Sequence, residues 1–328
     1  MNLPKTFLTT TTVGSFPKPD YLKKARTQFS KKEITREELE KLEKRATQEI
    51  IQFQEKLGLD ILVDGEMYRG DMATFFAEHL TGCKISGLVR SYGNRYYRKP
   101  VVIGKLEWPG PITVDWWKYA QSLTHKPVKG MLTGPYTMMD WSFNEYYSNR
   151  RDTALAFSEV IAQEALALEK AGAVCIQIDE PAVSTKPEEL PLAIEALSRV
   201  TQNLKAKTIS HMCYGEFAKL YPKLLDLPVQ QLDLEMANSD YDMIELFKKF
   251  PFTKEIGLGV LDVHNHAAEP KETIKKRIQT IFEVIPPERI YVDPDCGLKT
   301  RTLEESETKL KNMVEAVKEL KKELLTYA

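Results

Sequence analysis

Val174-Cys175-Ile176-Gln177-Ile178-Asp179 is a short, mostly apolar run that ends on an acid and is followed by Glu180-Pro181. A strand with one face in water alternates apolar and polar residues. A strand buried on both faces does not, so this run reads as one member of a parallel sheet covered by helices. Runs of the same kind occur at 8–14, 60–65, 128–133, 208–213, 231–235, 256–263 and 290–293. With 174–179 they make eight, and helical patterns of ten or more residues separate most of them. Eight such units in series predict an α/β fold of the closed (β/α)8 TIM-barrel class rather than an open doubly wound sheet.

The helices carry their own punctuation. Thr35 with Glu38 has the spacing of a capping box, flanked by Ile34 and Leu39 as a hydrophobic staple. Leu39, Leu42, Ala46, Ile50, Phe53 and Leu57 then recur at helical spacing, and Gly58 supplies the stop. Thr302 with Glu305 forms a second box, ahead of a stripe through Met313, Val317, Leu320 and Leu324. The stretch from about 81 to 124 breaks the rhythm. It is rich in Gly, Tyr and Arg and reads as a β-hairpin inserted after the second strand. No Pro/Ser linker divides the chain, so residues 1–328 are expected to form one barrel domain.

Composition narrows the function classes. Lys and Arg number 46 against 47 Asp and Glu, a net charge of −1, so no excess of positive charge points to nucleic acid or an anionic membrane. No uninterrupted apolar stretch approaches the roughly 18 residues of a membrane span. The start, Met1-Asn2-Leu3-Pro4-Lys5, lacks the apolar core of a secretory signal, and four cysteines do not make a disulfide scaffold. A cytoplasmic enzyme is the expectation.

In a barrel of this class, chemistry collects where the strands end. Those ends read Gly14-Ser15, Asp64-Gly65-Glu66, Gly134-Pro135, Asp179-Glu180-Pro181, His211-Met212-Cys213, Glu235, Asp262-Val263-His264-Asn265-His266 and Asp293-Pro294-Asp295-Cys296. Acids, imidazoles and thiols are expensive to bury without partners, so their accumulation at one rim marks a site. Period-two alternation puts His211 and Cys213 on one face of the fifth strand, while Glu235 and Cys296 end the sixth and eighth. A nitrogen, two sulfurs and an oxygen from three strands suit one tetrahedral zinc ion. The alternative is a core histidine with a buried cysteine pair; Glu235 and Cys296 at equivalent rim positions favour the metal. Two thiolates and a carboxylate leave a zinc site with net charge −1, poorly suited to making hydroxide but well suited to holding another thiol as its thiolate. Alkylation of a metal-bound thiol therefore ranks ahead of hydrolysis.

Five segments carry a resemblance. Val13-Gly14-Ser15-Phe16-Pro17, Asp64-Gly65-Glu66 with Asp71-Met72, and Ile176-Gln177-Ile178-Asp179-Glu180-Pro181-Ala182 are three of them. His211-Met212-Cys213-Tyr214 and Pro294-Asp295-Cys296-Gly297-Leu298-Lys299-Thr300-Arg301 complete the set, in order. Together they resemble the catalytic, carboxyl-terminal barrel of the cobalamin-independent methionine synthase family, in its short single-barrel archaeal form. The resemblance implies zinc, one per chain, on His211, Cys213, Glu235 and Cys296, and methyl transfer to L-homocysteine to give L-methionine. It also implies that Ser15 holds the homocysteine carboxylate, that Glu66 and Asp179 hold its ammonium, and that His264 is the proton donor. Arg95, Tyr96 and Trp141 match positions that receive a pterin ring, which needs an aromatic platform.

The methyl donor has two readings, a methyl-folate or a methyl-corrinoid such as methylcobalamin or a corrinoid protein. Full-length family members carry an additional amino-terminal barrel, whereas this sequence begins at the catalytic one; a separate chain in its place is one implied partner. Two other functions compete. One is a barrel methyltransferase acting on another thiol or exchanging methyl with a corrinoid protein. The other is a non-catalytic zinc-containing subunit.

Overall fold

The computed structural model describes residues 2–4, 6–90, 96–213, 215, 217–239, 241 and 243–327. Ten strands occur among them: β1 (Thr9–Thr10), β2 (Thr81–Arg90), β3 (Tyr96–Glu107), β4 (Gly130–Thr133), β5 (Phe143–Asn144), β6 (Cys175–Asp179), β7 (Lys207–Met212), β8 (Gln231–Leu234), β9 (Glu255–Leu261) and β10 (Ile290–Pro294). Seven of them form one sheet in the order β1-β10-β9-β8-β7-β6-β4. The pairs β1–β10, β10–β9, β4–β6 and β6–β7 are parallel. Each strand lies beside its successor in the chain, and the last lies beside the first, which is the connectivity of a (β/α)8 TIM barrel.

The second predicted strand is absent as a strand. Residues 60–65 make a single isolated parallel bridge, Leu62 with Val128. The Asp60 and Ile61 amides instead donate to Thr10 O, and the Leu62 amide donates to Pro127 O. Beyond Leu62 the ladder is replaced by a side chain. Buried Gln54 donates to Val63 O at 2.8 Å and accepts from Val63 N at 3.0 Å. Gly65 and Glu66 then turn the chain at φ 74° and 56°. The first predicted strand, 8–14, shortens to Thr9–Thr10, with Leu8 at φ 51° just ahead of it.

The inserted hairpin is present as the antiparallel pair β2–β3, with β5 added in parallel to β3. Its tip, Ser91-Tyr92-Gly93-Asn94-Arg95, lies outside the described residues. Both capping boxes form. Thr35 Oγ1 accepts from Glu38 N at 3.2 Å while Glu38 Oε2 accepts from Thr35 N at 2.7 Å, and Thr302 and Glu305 exchange the same two bonds. The helix Arg36–Leu57 ends at Gly58 in the left-handed region, φ 87°. Its buried face carries Leu39, Ala46, Ile50, Ile51 and Leu57, but also the polar residues Glu43, Thr47 and Gln54. Leu42 and Phe53, read from periodicity as core, are only half-buried. The polar positions are satisfied locally: Glu43 lies 3.1 Å from Arg26 and 2.9 Å from Arg36.

The chain divides into two compact units, 1–68 with 116–129 and 233–328, and 69–115 with 130–232. Among the described residues, no helix is long and apolar enough to cross a membrane.

Because the Gln54 side chain bonds both the amide and the carbonyl of buried Val63, Gln54→Leu strands both groups. The expected loss is about 2–4 kcal/mol of stability, read as a lower urea midpoint at unchanged slope.

Candidate active site

Strand β7 delivers His211 next to its last residue, and Cys213 follows two positions later; both are buried. Glu235 directly follows β8 and is 3% exposed, and Cys296 follows β10 by two residues and is half-buried. The ligand atoms of His211, Cys213 and Cys296 all lie within 4.8 Å of one another. Ligands about 2.0–2.3 Å from a tetrahedral zinc stand roughly 3.3–3.8 Å apart, so this spacing needs only a small contraction to share an ion. Soft thiolates with an imidazole are donors that zinc prefers, and the set fits the metal that the sequence predicts. Glu235 is outside that trio. Its Oε1 lies 3.3 Å from Nε2 of His264, whose side chain is one-third exposed.

Buried acids that the sequence reading left without a role fix the loops around these residues. Asp295, fully buried, accepts from the amides of Met236, Ala237 and Asn238 at 3.1, 2.9 and 2.7 Å. One carboxylate thus ties the chain after Glu235 to the residue before Cys296. Glu180, also fully buried, accepts from the amides of Tyr136 and Thr137 and from the Thr137 hydroxyl at 3.1, 2.8 and 2.7 Å. Those amides open the helix Pro135–Asp140, where a negative charge is favoured. Even so, burial pushes the Asp295 and Glu180 carboxyls up to about 7, because desolvation outweighs the hydrogen bonds. A signal for both was present in sequence: each is an acid beside a second rim residue with predicted chemistry, Asp179 or Cys296.

Among the substrate positions, Ser15 O accepts from Leu298 N at 2.7 Å, and a Cβ at Gly297 would overlap the Ser15 hydroxyl. Glu66 is half-buried in the left-handed region, a strained conformation for a residue with a side chain. Asp64 holds it there: one oxygen accepts from Glu66 N and the other from Tyr68 OH, both at 2.8 Å, and Tyr68 stacks on Trp116 at 4.5 Å. Asp179 ends β6 and accepts from Gln177 Nε2 at 2.7 Å. Of the predicted ring-binding residues, Trp141 follows the helix Pro135–Asp140 and is half-buried, while Tyr96 opens β3 and is 60% exposed. Arg95 lies outside the described residues. His266, the second imidazole of its loop, is bound to the capping Glu305 at 2.8 Å.

Residues 8–319 match the family model described as cobalamin-independent synthase, catalytic domain. The methionine synthase of Saccharolobus solfataricus is 38% identical over 318 residues, which cover 97% of this chain and 96% of that protein. The 5-methyltetrahydropteroyltriglutamate–homocysteine methyltransferase of Thermotoga petrophila is 40% identical over 96% of this chain, but that match spans only 44% of its own length. A solved B12-independent methionine synthase from Shewanella sp. W3-18-1, in complex with selenomethionine, superposes with a TM-score of 0.88 at 27% identity, covering 98% of this chain and all of that one. With the rim geometry, these likenesses agree on one assignment: the chain belongs to the cobalamin-independent methionine synthase family, as a methyltransferase built on the catalytic barrel.

Proposed function

We propose that this protein transfers a methyl group to the thiol of L-homocysteine to form L-methionine, with one zinc ion held by His211, Cys213, Glu235 and Cys296. The observation that carries the reading is the approach of one imidazole nitrogen and two thiol sulfurs to within 4.8 Å of one another. A bound zinc ion supplies positive charge that favours thiolate over thiol at neutral pH. Glu235 completes the donor set by turning its carboxylate from His264.

The rest falls to the chain's own groups. A homocysteine zwitterion needs acceptors for its ammonium and donors for its carboxylate. Glu66 and Asp179 are the acceptors, and Ser15 with neighbouring main chain the donor. Asp64 and Glu180 keep those acids from collapsing inward, because each fixes an adjacent turn. In the transfer, a sulfur–carbon bond forms as the bond from carbon to the donor breaks. A departing folate nitrogen must leave with a proton, and in this reading His264 gives it. A methyl leaving cobalt needs none. We therefore read the donor as a methyl-folate, its ring resting against Trp141, Tyr96 and Arg95, and a methyl-corrinoid as the alternative. The reading takes residues 1–328 as one catalytic domain acting in the cytoplasm.

Cys296→Ser is expected to abolish stoichiometric zinc binding and to reduce methionine formation more than a hundredfold, with the circular dichroism spectrum unchanged. Global unfolding instead would make the metal structural. His264→Ala should lower turnover with methyltetrahydropteroyltriglutamate by on the order of 10²–10⁴-fold and leave turnover with methylcobalamin intact. Equal losses with both donors remove the general-acid role. Asp295→Asn cannot accept all three amides through one oxygen, so the Glu235 turn loosens. Zinc affinity, measured by chelator competition, should fall about tenfold or more.

A further inference from the structure

The loop that carries His264 is built around a buried lysine. Lys309, on the helix Leu303–Tyr327, has no exposed surface, and its ammonium makes three bonds: to Asp262 O at 3.0 Å, to Ala267 O at 2.6 Å and to Glu269 Oε2 at 2.9 Å. An ammonium has three hydrogens, and all are used. The other oxygen of Glu269 accepts from Asp262 N at 2.7 Å, so the acid joins the two ends of the loop. Asp262 in turn accepts from His264 N at 2.8 Å. Asn312, also on the last helix, donates to Glu269 O at 2.8 Å, and Arg277 lies 3.5 Å from Glu269 Oε1. His264 donates its amide to Asp262, and its ring approaches Glu235 to 3.3 Å.

This arrangement is more than a core needs. A buried ion pair contributes little net stability against apolar residues of the same volume, since desolvation offsets the attraction. What it does supply is direction. The ammonium has fixed acceptors at both ends of a surface loop whose middle residues are exposed. We propose that Lys309 and Glu269 are positioning residues for His264, holding residues 262–269 in the one conformation that presents the imidazole to the reacting atoms. The inference rests on the general-acid reading of His264.

The test is a double-mutant cycle on the zinc-loaded enzyme. Lys309→Met alone strands the Glu269 charge, so it is combined with Glu269→Gln, which removes both charges and keeps an acceptor for Asp262 N. Glu269→Gln alone serves if the pair does not fold. With methyltetrahydropteroyltriglutamate as donor, kcat is expected to fall at least tenfold, with KM for homocysteine and zinc content within twofold of the parent. In a His264→Ala background the same pair should change kcat by less than twofold. Amide hydrogen exchange, which needs no turnover, should speed at least tenfold across 262–268 and stay unchanged in β9.

Equal losses of kcat with and without His264 would assign Lys309 a general structural role and overturn the inference. Unchanged exchange across 262–268 would do the same. A His264→Ala enzyme as fast as the parent removes the general acid itself, and this inference with it. A slow His264→Ala enzyme beside a fast paired variant removes the positioning role alone.

Discussion

A carboxylate accepting backbone amides in a dry environment is the interaction on which the rim depends. Parallel strands end with amides that the sheet no longer satisfies, and a buried unpaired amide costs about 1–3 kcal/mol. This chain meets that demand with acids. Asp295 takes three amides after Glu235, Glu180 takes two at the helix following Gly134, Asp64 takes that of Glu66, and Glu269 takes that of Asp262. Each clamp stands within two residues of a group with predicted chemistry, or fixes the segment that bears one. Asp295 adjoins Cys296, Glu180 adjoins Asp179, Asp64 precedes Glu66 by two, and the Glu269 bond fixes Asp262 two residues before His264.

Two of the clamps, Asp295 and Glu180, carry a cost of their own. Carboxyls pushed up to about 7 by burial are carboxylates held at a cost near neutral pH, since their ordinary value lies near 4. An apolar rim of equal volume would avoid that cost but leave the amides unpaired. It would also be less directional, because dispersion contacts fix volume rather than orientation. Methyl transfer needs the reacting atoms in line and close, and a misplacement of about 1 Å costs on the order of a hundredfold in rate. The chain accepts the desolvation of Asp295 and Glu180 and gains fixed rim loops beside Cys296 and Asp179.

Much of this was legible in sequence, for identifiable reasons. The barrel showed because strands buried on both faces are long apolar runs, and seven of the eight predicted runs are strands within a few residues. The one that is not, 60–65, failed because the Gln54 side chain occupies the bonding positions of Val63, and a tertiary substitution for a ladder leaves no periodic trace. The capping boxes were read correctly because both partners lie three residues apart. His211, Cys213 and Cys296 were found together because donor atoms of distinctive type recur at equivalent strand ends. Glu235 was named with them, and its Oε1 lies 3.3 Å from Nε2 of His264. The positioning acids were seen as rim residues but given no role. Their partners are main-chain amides, which every residue carries, so nothing in the partner's identity announces the bond.

A second kind of residue does announce it. An added Cβ at Gly134 would overlap Glu180, at Gly259 it would overlap Asp295, and at Gly297 it would overlap Ser15. None of these three glycines appears among the positions of positive φ, so their backbone conformations do not require glycine. Space does. Two of the four acid clamps, Glu180 and Asp295, and the Ser15 hydroxyl therefore each face a glycine. An acid at a strand end is ambiguous by itself, since an exposed ion pair looks the same in sequence. An acid whose orientation requires a missing side chain opposite is not ambiguous, because no solvated carboxylate needs that vacancy. Gly134, Gly259 and Gly297 thus leave the space that the Glu180, Asp295 and Ser15 side chains occupy, and a side chain at any of the three would displace them.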